Sequence, residues 1–167
     1  MNETNRLSSL SHLKDRFSFI WKNYGDSIKF GTLVSSATRI WLTLFSVFIF
    51  FNIPISSPSK FGGGYSDVIP LLTSWRGALL GMWQHWDTVH YQSIAQWGYN
   101  QPLLTVFFPG YPILGHAVSR LLHISDLSAL LLVSNLFAWL SLILLHHIVS
   151  SLYDQHTANL TLILLCC

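Results

Sequence analysis

The sequence predicts an all-α, polytopic membrane protein, and three observations carry that prediction. Of 167 residues, 51% are hydrophobic and 10% charged, with a mean hydropathy of +0.44, which leaves too little charge to solvate an ordinary globule. Two stretches, 33–53 and 127–149, are apolar over the ~20 residues a helix needs to cross ~30 Å of hydrocarbon. Basic residues are also unevenly placed: Arg6, Lys14, Arg16, Lys22, Lys29 and Arg39 precede or open the first stretch, whereas 54–102 holds only Lys60 and Arg76. By the positive-inside rule the amino terminus is cytoplasmic and the 54–106 loop faces the other side. The net charge of +2 mostly reflects this asymmetry, so no nucleic-acid partner is expected.

Residues 1–32 come first. Leu10, Leu13, Phe17, Ile20 and Tyr24 recur at three- and four-residue steps, which suits a helix lying in the cytoplasmic interface. It serves either as a docking element or as a positively charged topology anchor. The first transmembrane helix follows at 33–53, with Arg39 near one end, where its side chain can snorkel to the headgroups. No cleavable signal peptide is visible, so this span acts as its own insertion signal.

The loop opens with PISSPSKFGGGYS, a turn-forming composition. Its Gly62-Gly63-Gly64 run lacks the flanking strand and the Gly-Lys-Ser/Thr of a phosphate loop, and Asp67 beside it fits a turn. The stretch 83–97 (WQHWDTVHYQSIAQW) reads as an interfacial amphipathic helix. Trp83, Trp86, His90, Ile94 and Trp97 share one side, Asp87 lies at its flank, and His85, Thr88, Gln92 and Gln96 oppose them. Gly98 is its expected stop.

Transmembrane helix 2 is placed at 107–123, entered through a bent aromatic segment because Pro109, Gly110 and Pro112 weaken helical bonding, so the helix proper starts near Pro112. Helix 3 occupies 127–149. Residues 157–167 read as the start of a fourth span cut short, with adjacent Cys166 and Cys167 offering neither a disulfide framework nor a metal site.

Among groups that could carry chemistry, Asp87 is the one carboxylate of the 83–97 helix. Aromatic rings at the membrane boundary would desolvate it and raise its pKa towards the range of a useful base; the alternative is a solvated loop aspartate. His85 and His90 bracket Asp87, yet only His90 shares its side, and His146-His147 sits at a span's end where adjacent side chains diverge. No metal site and no cofactor are therefore assigned. No opposed second carboxylate marks a glycosidase, and no Gly-x-Ser-x-Gly marks a serine nucleophile.

The order His85-Trp86-Asp87, His90-Tyr91, Ile94-Ala95, Gly98-Tyr99 and then Phe107-Phe108-Pro109-Gly110-Tyr111-Pro112 resembles the PIG-V family of mannosyltransferases and its bacterial relatives, in detail from about Trp83 to Leu122. The resemblance implies a class C glycosyltransferase that takes sugar from a polyprenyl- or dolichyl-phosphate donor and passes it to a lipid-linked acceptor at the outer or lumenal face. In eukaryotic members, mannose goes onto the glycosylphosphatidylinositol anchor. The membrane would be the bacterial plasma membrane or that of the endoplasmic reticulum.

On the same resemblance Asp87 is the base that deprotonates the acceptor hydroxyl. Arg76, His90 and Tyr91 would support the leaving phosphate, and His85, Trp86, Phe108 and Tyr111 would shape the substrate groove. Many family members carry an acid between the Gly-Tyr and Phe-Phe pairs, where this chain reads NQPLLTV. Class C enzymes need more spans than these residues hold, so the chain alone is expected to be inactive. A non-catalytic membrane scaffold or gene remnant is the alternative function. The shortage of charge in the spans argues against an ion-coupled transporter.

Overall fold

The computed structural model describes residues 3–52, 75–84 and 87–166, with side-chain positions for 21–52, 78–81, 83–84 and 87–166. The described residues are all-helical: α1 (Glu3–Asn52), α2 (Trp75–Leu80) running into a 3-10 turn (Gly81–Trp83), α3 (Asp87–Trp97), a second 3-10 turn (Pro102–Val106), α4 (Gly110–Leu122), α5 (Asp126–Leu152) and α6 (Gln155–Cys166). Two stretches are long and apolar enough to cross a membrane, Trp21–Asn52 within α1 and Asp126–Leu152. The chain divides into two units, one of residues up to Thr38 with those from Ala138, the other Arg39–Phe137.

Several boundaries differ from those read in the sequence. The boundary read at 32/33 is absent: Glu3–Asn52 is one unbroken helix, with no proline anywhere within it. The aromatic helix starts at Asp87, not Trp83. Trp83 closes the first 3-10 turn, and Gln84 is buried, its amide donating to the buried Gln92 carbonyl oxygen at 3.2 Å. Gln92 therefore belongs to the buried face with Val89, Ser93, Ile94 and Ala95, while Trp97 is exposed. The reversal arises because the packing surface of α3 is set by α4 and by the Gln84 bend, neither of which a helical wheel contains.

α3 ends where expected: Gly98 takes φ +71, a left-handed conformation costly to other residues, and its N–H donates to the Ile94 carbonyl at 2.9 Å. α4 begins at Gly110, two residues ahead of Pro112, which is tolerated there because the first-turn N–H groups have no intrahelical acceptor. With 13 residues, α4 falls short of the ~20 that a crossing requires.

In the first unit, α1 and α5 run antiparallel. Tyr24 packs on His147 with centroids 4.1 Å apart, Ser27 bonds His146 at 2.9 Å, Gly31 faces Ile143, and Trp139 Nε1 donates to Thr32 at 2.9 Å. Gly31 permits the close approach, since a Cβ there would lie 2.9 Å from the Ile143 side chain and 3.2 Å from its backbone. α6 folds back on α5, and Asp154 caps it by accepting from the Thr157 N–H at 2.8 Å and from the Thr157 hydroxyl at 2.9 Å.

His146 is fully buried between α1 and α6. Its Nε2 donates to Asn159 Oδ1 at 2.9 Å, so its Nδ1 accepts from the Ser27 hydroxyl. His147 turns to Tyr24 instead, the divergence expected of adjacent helical residues.

Candidate functional site

The second unit holds the motif residues, and local chain geometry brings its two halves together. α3 carries His90 and Tyr91 on adjacent positions, and the extended residue Phe107 leads from the second 3-10 turn towards α4. The Phe107 ring stacks on His90 with centroids 5.0 Å apart and meets Tyr91 edge-on at 5.2 Å; Tyr91 in turn meets Tyr111 edge-on at 5.0 Å. Offset and edge-to-face pairs of this kind are worth about 0.5–1.5 kcal/mol each beyond the area they bury. Tyr99 fixes the loop between the halves by donating to the Phe107 carbonyl at 2.8 Å.

Tyr111 also anchors the cluster to α5, donating to the Leu130 carbonyl at 2.9 Å. One turn further along α4, Gly115 lies against Leu130 so closely that a Cβ there would collide with Leu130 Cδ2. The α4–α5 corner closes with His123 in a left-handed conformation and the Ser119 hydroxyl donating to the Ile124 carbonyl at 2.7 Å. His116 Nε2 accepts from Arg120 there at 3.4 Å, which leaves the proton on Nδ1, facing Asp126 at 3.5 Å.

Asp87 is the first residue of α3 and is exposed. Residues 83–84 ahead of it form a turn and bend, and Trp86, one of the rings expected beside it, lies outside the described residues. A carboxylate in this position stands beside the free N–H groups of a helix start and is open to an incoming hydroxyl.

His90, Tyr91 and Tyr111 thus form one cluster. Phe108 stands apart from it, 78% exposed, over Gly110, where a Cβ would come within 2.8 Å of its ring. Arg76 lies in α2, with its side chain outside the described set; His85, Trp86, Asp67 and the glycine run lie outside the described residues. Among the described residues no three His, Cys, Asp or Glu side chains gather as a metal site would require.

Arg39 has a partner distant in the chain. Its guanidinium lies over the Trp83 ring, 5.1 Å from the centroid. The available signal was energetic: an arginine inside an apolar run is costly enough that it faces a partner rather than lipid. Phe107 is the ring that joins the two halves.

Comparison with protein-family models, with curated proteins and with solved structures returns no match.

Proposed function

We propose that this chain belongs to a multi-pass membrane glycosyltransferase of the class C type, one that moves mannose from a polyprenyl- or dolichyl-phosphate donor to a lipid-linked acceptor. The observation that carries the reading is the convergence of the two motif halves. Residues resembling the PIG-V pattern are separated in the chain, yet Phe107 and Tyr111 pack on His90 and Tyr91 one helical turn from Asp87. A packing core alone would not require a histidine, two tyrosines and an accessible aspartate at these positions.

In the proposed reaction, the Asp87 carboxylate accepts the proton of the acceptor hydroxyl as its oxygen bonds to the anomeric carbon. The bond from that carbon to the lipid phosphate breaks, the phosphate leaves with the electron pair, and configuration inverts. Positive or hydrogen-bonding groups would then stabilise the departing phosphate. Arg76, and Arg39 with its guanidinium over the Trp83 ring, are the cationic candidates for this role. His90 and Tyr91 would serve as hydrogen-bonding partners for sugar or phosphate, and the exposed ring of Phe108 as a surface for the lipid chain.

The test is to express the reading frame that encodes these residues in membranes and supply radiolabelled polyprenyl-phosphate mannose. Appearance of label in a lipid-extractable product supports the reading. A well-inserted protein that transfers no sugar from any polyprenyl donor overturns it and favours a scaffold.

A further inference from the structure

Within the first unit, α1, α5 and α6 meet at one end. Tyr24 packs on His147, Ser27 bonds His146 and Gly31 faces Ile143, so the start of the apolar stretch of α1, at Trp21, lies level with the end of that of α5, at Leu152. α6 begins there too, and the bonds of buried His146 to Ser27 and Asn159 tie the three helices together. Between them opens a preformed cleft of about 240 Å³, whose walls include Trp21, Lys22, Gly25 and Lys29 of α1, Ser150 of α5 and Gln155 of α6.

The α1 wall is built for an anion. The Trp21 ring lies against the backbone at Gly25, where a Cβ would stand 3.6 Å from it, and Lys29 Nζ lies 5.3 Å from the centroid of the same ring. Lys22, Asp26, Lys29 and Leu33 follow at steps of four, three and four, which makes them one stripe of the helix, and all four are exposed. Two lysines thus stand with one carboxylate. Asp26 reaches Lys29 at 3.7 Å, but the pair is too exposed to hold the ammonium against a competing anion.

Size and surroundings say which anion. Sites that enclose a whole small-molecule ligand run to ~300–1,000 Å³, so this smaller cleft suits a headgroup whose remainder lies outside. Outside it the surface turns apolar: Leu33, one turn beyond Lys29, and Leu144 and Ile148 of α5 are all more than half exposed. Trp21 and Tyr153, also exposed, carry the amphipathic rings that favour the headgroup layer. Arg6, Lys14 and Arg16 precede the cleft in α1 and add to the positive charge of that helix, the composition that attracts anionic lipid.

We propose that this cleft binds the phosphate headgroup of an anionic phospholipid in the leaflet at the Trp21 end of α1, with Lys22 and Lys29 pairing the phosphate and the acyl chains lying along Leu33. This rests on the membrane location in the proposed function but not on glycosyl transfer.

Native mass spectrometry of the full chain in detergent, with dioleoylphosphatidylglycerol and dioleoylphosphatidylcholine supplied in equal amounts, tests the proposal. One phosphatidylglycerol should be retained in preference to phosphatidylcholine. Lys22→Gln and Lys29→Gln should each weaken it about fivefold, the effect of one cation near an anionic lipid. Asp26→Asn should tighten it, and Arg120→Gln, the same charge loss in the other unit, should leave it unchanged. Inorganic phosphate in large excess should not displace it. Equal retention of the two lipids, or equal losses in Lys29→Gln and Arg120→Gln, would overturn the proposal; displacement by inorganic phosphate would make the occupant a soluble anion and overturn it too. Lys22, Asp26, Lys29 and Arg120 are all exposed, so the substitutions leave the packing intact, and none of these readouts depends on catalysis.

Discussion

At Gly115 the interior has no room for a side chain. Leu130 is fully buried and cannot retreat, so Gly115→Ala forces α4 from α5 and should cost about 1–3 kcal/mol, read as a lower melting temperature in detergent. An unchanged melting temperature would mean that the two helices are not in contact at this level. His146 poses the opposite problem, a polar group with every partner supplied. His146→Leu removes both hydrogen bonds and strands Asn159 and Ser27, and should lower stability by about 1–2 kcal/mol. Replacing Asn159 with leucine in the same background should then cost little more, because the bond is already gone; two full, additive losses would show that the residues do not interact.

At the scale of elements, α6 depends on Asp154. Two hydrogen bonds from Thr157 hold its carboxyl below the ordinary carboxylate range. A depressed folded-state pKa gives a contribution that is complete above the ordinary value of about 4 and is lost as pH falls through the lowered one. Protection of the Thr157 and Ala158 amides, after correction for the intrinsic pH dependence of exchange, should therefore fall as pH drops below about 4, and Asp154→Ala should abolish that fall; its persistence in the variant would assign the effect elsewhere. The α3–α4 pair depends on Phe107 in a comparable way. Phe107→Ala should lower the melting temperature and impair sugar transfer together, whereas Phe108→Ala, on an exposed ring, should spare stability. Equal melting losses in the two variants would contradict the packing of Phe107 between His90 and Tyr91.

Across the whole molecule, what the sequence made legible was local. Apolar runs at 33–53 and 127–149 marked the two candidate spans, and Gly98 marked the end of α3. What escaped was set by partners distant in the chain. The burial of Gln92 depends on Gln84 and on α4, and the direction of Arg39 on Trp83 some forty residues away. The antiparallel pairing of α1 with α5 depends on contacts such as Thr32–Trp139, separated by 107 positions. A periodicity can say that a stretch is helical and amphipathic, but it cannot say which neighbour arrives to cover it.

The role we propose for Asp87 is that of proton acceptor beside the cluster of α3 and α4. It is tested most directly by comparing sugar transfer from radiolabelled polyprenyl-phosphate mannose in membranes carrying the complete reading frame with Asp87, with Asp87→Asn, or with Asp154→Asn as a control of equal charge change. Loss of a base should reduce transfer by about 10²–10⁴-fold in the Asp87 variant at unchanged membrane insertion, with the control retaining activity. Transfer by Asp87→Asn at the unsubstituted rate would remove Asp87 from the chemistry.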